Sequence, residues 1–151
     1  MTALSALTNL VGTWRGENQL WLTPGEPVRK TETTAEIEIV AHAQFTEMRY
    51  QWADEGHPQE GRIIIGQSGD DVKAVWFDTW HMANQFMLCD GRVDGSAVSV
   101  RGAYAAPPGP DWGWRVAFEP RGADAFRFTM YNITPDGQEF LAVEVLYSRT
   151  G

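Results

Sequence analysis

The stretch Leu10-Val11-Gly12-Thr13-Trp14-Arg15-Gly16 decides how the chain is read. It follows a short apolar segment, residues 4–11, with room for a turn or two of helix. It opens a strand whose first large residue is Trp14. Gly12 frees the backbone at the entry, and Gly16 leaves room for a neighbour to approach. A lone Gly-x-Trp is a weak signal. It gains weight when the chain behind it is all strands and the last strand returns to meet Trp14.

The sequence pattern meets both conditions. From Gly12 onward the apolar period is two, broken by Gly, Pro and Asp. The reading is ten strands: Thr13–Leu22, Arg29–Val40, Gln44–Ala53, Gly61–Gln67, Val72–Thr79, Asn84–Val93, Ala97–Tyr104, Trp112–Glu119, Ala125–Ile133 and Glu139–Arg149. Residues 2–11 are the one candidate helix. The fold class is therefore all-β, a single-domain antiparallel up-and-down barrel, which closes on itself and leaves no edge. With an even count, the last strand runs antiparallel to the first and can pair with it. The connections then sort by end. Tight turns, with Asp94-Gly95 the strongest hairpin signal, share the end that residues 2–11 would plug. Thr23–Val28, Asp54–Glu60, Trp80–Ala83, Ala105–Asp111 and Thr134–Gly137 ring the other end as a mouth.

Composition narrows the function classes. At 151 residues and 43% hydrophobic, with seven Trp and seven Phe, the chain has ample material for a core. A net charge of −8 argues against nucleic acid and anionic membrane as partners. One cysteine, Cys89, precludes an internal disulfide. With no signal-peptide pattern and no apolar run long enough to span a bilayer, the expected location is the cytoplasm.

Gly12-x-Trp14 after a short helical segment, an antiparallel barrel, and a closing strand ending in Arg149 resemble the calycin superfamily, which includes lipocalins and fatty-acid-binding proteins. The resemblance implies that Trp14 packs inside the closed end and that Arg149 lies across it as a clasp. Ten strands without a helical lid are similar to nitrobindin-like barrels. Val75-Trp76-Phe77-Asp78-Thr79 and Glu144-Val145-Leu146-Tyr147-Ser148-Arg149 resemble an uncharacterised bacterial lipocalin-like family. Three departures matter. The signal peptide and disulfide of secreted lipocalins are missing. The last strand reads Tyr147-x-Arg149, the reverse of the fatty-acid-binding Arg-x-Tyr pair. No His follows His81, so the C-terminal haem ligand of nitrobindins has no counterpart; the cofactor, if any, is unknown.

Alternation around charged residues sets which side chains face inward. Glu32, Glu36 and Glu38 turn Ala35, Ile37 and Ile39 in. Glu47 and Arg49 turn Met48, Tyr50 and Trp52 in. Arg115 and Glu119 do so for Trp114, Val116 and Phe118, and Arg127 for Phe126, Phe128, Met130 and Asn132. Glu144 sends Leu141, Val143, Val145, Tyr147 and Arg149 inward. In the fifth strand Lys73 outward puts Ala74, Trp76, Asp78 and Trp80 inside; a bulge would reverse this. The sixth strand has no clear phase. Phe77, Phe140 and Leu146 are read as outward, leaving room for a homodimer patch.

Ten strands enclose more volume than the eight that side chains just fill, which predicts an internal pocket. The expected ligand is small and apolar or amphipathic. Its expected contacts are Asn18, Tyr50, Trp52, Trp76, Asp78, Trp80, Trp114, Phe128, Met130, Asn132 and Tyr147. Asp78, the one acidic side chain on the phased lining, is the expected reader of its polar end. With the opposite phase, Asp78 faces solvent or caps the turn at Trp80–Ala83. Asp78 and His81 near the mouth form a candidate acid–base pair for an enzyme acting on a small apolar substrate. A filled barrel serving structure or oligomerisation is the remaining reading. A zinc site of His42, His57 and His81 would have to span the barrel; His57 and His81 could share a mouth site with Glu60 or Asp54, but the expected reading is solvated loop histidines and no metal, and no Gly-x-Ser-x-Gly elbow or dinucleotide fingerprint occurs.

Overall fold

The structure, a computed structural model, describes residues 5–150. A short helix α1 (Ser5–Thr8) leads into ten strands: β1 (Gly12–Leu20), β2 (Arg29–Val40), β3 (Phe45–Asp54), β4 (His57–Ser68), β5 (Asp71–Asp78), β6 (Met87–Asp94), β7 (Ala97–Tyr104), β8 (Trp112–Pro120), β9 (Ala125–Ile133) and β10 (Glu139–Arg149). Each strand pairs antiparallel with its sequence neighbours, and β1 pairs with β10, so the sheet is a closed up-and-down barrel. Residues 2–4 of the expected helix lie outside the described residues. No helix among the described residues is long and apolar enough to cross a membrane.

Closure is written into the pairing of Trp14 with Arg149. The Arg149 guanidinium carbon stands 4.3 Å from the Trp14 ring centroid. Arg149 donates to the carbonyls of Val11 (2.7 Å), Asn9 (2.8 Å) and Ala123 (2.9 Å). Trp14 Nε1 donates to the Leu10 carbonyl at 2.9 Å, tying the N-terminal segment to the same end. Leu7 and Leu10 are buried there as the plug. Gly12 adopts φ +144°, and a Cβ on it would lie 2.5 Å from an Arg149 guanidinium nitrogen. This entry position thus needs glycine on both counts.

The inward phases of β3, β5 and β8 place Tyr50, Trp52, Trp76, Asp78 and Trp114 in the core. In β6, Met87 and Cys89 point in and Leu88 points out. Burial pushes the Cys89 thiol up to about 11.

The sequence reading needs four corrections. Asp54–Glu60 is not a long loop: β4 begins at His57, Asp54 pairs with His57, and only Glu55 and Gly56 turn the chain, both at positive φ. Such a turn matches the right-handed strand twist and lets the strands zip to their ends. Next, β6 begins at Met87 instead of Asn84, because residues 79–86 are taken up by turns, with Met82 N–H bonding the Asp78 carbonyl at 2.8 Å. Ile39 is exposed, one pair from the β2–β3 turn, where the strands run past the core. Finally, a bulge at Ala142 shifts the register between Leu141 and Val143. It sets Phe140 opposite inward Asn132 and Leu141 opposite Tyr131, the reverse of the alternation reading.

Candidate functional site

A ladder of rings climbs the barrel from the closed end. Trp14 meets Phe126 edge-on at 4.8 Å, Phe126 stacks on Tyr147 at 5.0 Å, and Phe128 lies between Tyr147 (6.2 Å) and Tyr50 (5.7 Å). Trp76 Nε1 then donates to the Tyr50 hydroxyl at 3.1 Å, and Trp76 stacks on Trp114 at 5.5 Å. These rings occupy the axis where the strand count predicts an internal pocket, with Met130 buried among them.

Asp78 sits at the top of this ladder, 1% exposed. One carboxylate oxygen accepts from the Tyr50 hydroxyl (2.7 Å) and Trp52 Nε1 (3.3 Å). The other accepts from the backbone N–H of Trp80 (2.8 Å) and of His81 (3.1 Å). A carboxylate has about four acceptor positions, and protein donors fill them. So Asp78 is buried and also caps the turn after β5; the two alternatives read from the sequence coexist, one oxygen serving each. Burial, with Asp78's charge next, pushes the Tyr50 phenol well above its usual range and keeps it a donor.

The cap folds the turn back over the barrel and seats His81 among indoles. Its ring lies 4.7 Å from Trp80, 5.1 Å from Trp114, 5.8 Å from Trp76 and 5.9 Å from Trp52. Burial there lowers the imidazole's pKa, with the Asp78 charge opposing. The imidazole makes no hydrogen bond to Asp78; only the His81 backbone N–H does. The expected acid–base pair is therefore not formed side chain to side chain.

Above His81 the mouth opens into a cleft of about 360 Å³. Trp80, His81 and Trp114 line it together with Trp21, Leu22 and Phe140, and its lining holds no Lys, Arg, Asp or Glu. This volume is in the range of small-molecule sites, about 300–1,000 Å³. Asn132 also lines the cleft, and its carbonyl accepts the Tyr104 hydroxyl at 2.6 Å. Trp114 Nε1 is shut off from solvent and has no acceptor.

Of the residues singled out from sequence, Tyr50, Trp52, Trp76, Asp78, Trp80 and Trp114 converge around His81. Asn132 does not donate to Asp78 but bonds Tyr104, and Trp80's indole N–H donates to Asp54 (3.2 Å) instead. Tyr147 lies deeper, its hydroxyl 3.1 Å from that of Thr33. Asn18 is buried on β1 opposite Thr31. Sequence reasoning missed Trp21, Leu22, Trp112, Phe140 and Tyr104. The aromatic run at the two ends of the mouth loops was the available signal for Trp21 and Trp112; for Phe140 the unseen bulge hid it. Among the described residues, no group of three His, Cys, Asp or Glu side chains is placed to hold a metal ion.

Among curated proteins, none matches the sequence. Among the solved structures that match the fold are two that align with nearly the whole chain. One is Rv2717c from M. tuberculosis, with a TM-score of 0.68 at 13% identity, covering 98% of this chain and 97% of that one. The other is the S-type phycobiliprotein lyase CPES from Guillardia theta, with a TM-score of 0.53 at 10% identity, covering 97% and 92%. These likenesses concern the fold alone and are consistent with a calycin-type barrel. A family model matches residues 3–149, nearly the whole barrel, and on that match the chain belongs to DUF1579, a family of proteins of unknown function.

Proposed function

We propose that the protein binds a small, largely apolar molecule in the mouth cleft, with the barrel below acting as a rigid support. The observation that carries this reading is the cleft itself: about 360 Å³ of aromatic-walled space floored by His81 and Trp114. Apolar walls with few, convergent polar groups are the usual make-up of such sites. The floor is preorganised, because Asp78 ties Tyr50, Trp52 and the His81 turn together beneath it. Trp80, Trp114 and Asn132 contact the ligand; Tyr50, Trp52, Trp76 and Asp78 hold the floor; Asn18, Phe128, Met130 and Tyr147 fill the barrel. The nitrobindin-like reading rests on strand number and the missing lid, and the binding reading does not need it. The formal charge of −8 supports a partner that is neither nucleic acid nor anionic membrane.

Native mass spectrometry of protein purified from its own host tests this. The wild type should carry a small molecule that Leu22→Arg loses. Leu22 is 41% exposed, so the substitution leaves the core alone while placing a charge in the cleft. Equal retention by the variant overturns the assignment of the site.

A further inference from the structure

The outer wall of the barrel carries an apolar groove that the mouth cleft does not use. In β4, β5 and β6 the alternate residues Ile63, Ile65, Ala74, Trp76 and Cys89 are buried in the core, so Ile64, Val75 and Leu88 face out. The register sets those three in a row: Ile64 pairs with Val75, and Val75 with Leu88. At one end of the row Leu88 stands 69% exposed. Beyond the other end, Phe45 at the start of β3 is 42% exposed. Its ring lies against Gly66, where an added Cβ would come within 3.0 Å of it. Phe45 and Leu88 are the two banks of a groove of about 410 Å³, with Ile64 and Val75 along it.

We propose that this wall is the contact surface of a homodimer, in which Leu88 of each copy seats in the groove of the other. The first argument for a second copy is charge. Three cross-strand ion pairs surround the groove: Arg62–Glu47 at 3.8 Å, Arg92–Asp71 at 3.5 Å, and Lys73–Asp90. Their charges cancel, although the chain as a whole carries −8. The net charge therefore resides elsewhere, and two equally charged copies can meet on this wall without net repulsion at the contact. A rim of mixed sign is also one that a copy of itself can match.

The second argument is shape. The exposed Leu88 and the groove lie side by side on one wall. A two-fold axis between them places each Leu88 in the other copy's groove, and such an isologous contact closes as a dimer. The third is topology. The sheet is closed, so an extended peptide finds no free edge strand to pair with here. The dimer patch expected from Phe77, Phe140 and Leu146 is thereby divided. Phe77 lies on this wall opposite Arg62, Phe140 lines the mouth cleft, and Leu146 stands on β10.

Sedimentation velocity of the full-length protein across about 1–500 µM tests the assignment. A convex wall buries less than a standard interface, so the wild type should dimerise with a Kd of about 1–100 µM. Leu88→Lys, which loses the inserted side chain, and Phe45→Lys, which loses the opposite bank, should each weaken the dimer at least about tenfold. Leu146→Lys makes the same change of charge at a leucine 53% exposed on another wall, and should leave the Kd within about twofold. Added salt should tighten the pair, because it screens the repulsion between two chains of −8. A wild type that sediments as a monomer throughout overturns the dimer. A dimer that survives Leu88→Lys or Phe45→Lys, or that is lost in Leu146→Lys, overturns its placement on this wall. A dimer that salt dissolves is held by ion pairs and overturns the apolar contact.

Discussion

Replacing Asp78 by Asn removes one charge and turns one acceptor into a donor, at a position 1% exposed. The remaining amide oxygen can keep the backbone N–H groups of Trp80 and His81, which now donate to a neutral acceptor. The amide nitrogen then faces the Tyr50 hydroxyl and Trp52 Nε1, donor against donor. Turning the Tyr50 O–H away does not resolve this, because its proton then loses the acceptor it has in the wild type while its oxygen still accepts from Trp76 Nε1. Hydrogen bonds to charged groups are worth about 1.5–3 kcal/mol each, and a buried donor left unmet costs about 1–3 kcal/mol. Two such losses, softened by relaxation, put Asp78→Asn at about 2–4 kcal/mol. Asp78→Ala strands all four donors and should cost about 4–8 kcal/mol, comparable with the whole stability of an ordinary domain. Urea unfolding followed by tryptophan fluorescence reads the loss. Tyr50→Phe alone should cost about 1–2 kcal/mol, and the double variant should be less than additive, since the two groups share one network. An Asp78→Asn protein within about 0.5 kcal/mol of wild type, or strict additivity with Tyr50→Phe, would refute the view that this carboxylate organises the floor.

Arg149→Met should lower stability by about 2 kcal/mol through loss of the contact over Trp14 and the bonds to the Val11, Asn9 and Ala123 carbonyls; a change under about 0.5 kcal/mol in the same denaturation assay would count against the clasp. Gly61→Ala should disturb the floor from a distance, because its Cβ would lie 2.2 Å from the Tyr50 ring and must displace the phenol from Asp78; an unchanged near-ultraviolet circular dichroism spectrum would contradict this. His81 is held neutral by burial, so its folded-state pKa lies below the unfolded value. Its neutral form is favoured in the fold, so stability should be at its full value above about pH 6.5 and decline as pH falls from there towards the folded pKa. His81→Gln should flatten that decline in denaturation midpoints measured across the window, and an equally steep decline in the variant would show that another group is responsible.

Alternation against exposed charges revealed most of the barrel. Arg115 and Glu119 were enough to turn Trp114, Val116 and Phe118 inward, and Lys73 did the same for Trp76 and Asp78, because a period of two leaves a strand no other way to hide its apolar face. The bulge at Ala142 escaped that reasoning for a physical reason. It sits on the seam where the first and last strands meet: the N–H of Trp21, just past β1, bonds the Ala142 carbonyl at 2.9 Å. That constraint comes from closing the sheet, and nothing in Phe140-Leu141-Ala142-Val143 announces it. The cleft was hidden by the same bulge, since it is the shifted register that sets Phe140 opposite Asn132 at the mouth. Asp78 shows a different limit. Alternation asks whether a side chain points in or out, whereas a carboxylate at a strand's last position has two oxygens and can answer both ways. Here one oxygen bonds the core donors of β3 and the other bonds the turn that follows β5. A residue with that double bond pattern fixes the height and tilt of the turn relative to the barrel axis. It therefore sets where His81 sits beneath the cleft, and a single carboxylate buried in the core shapes a surface it does not touch.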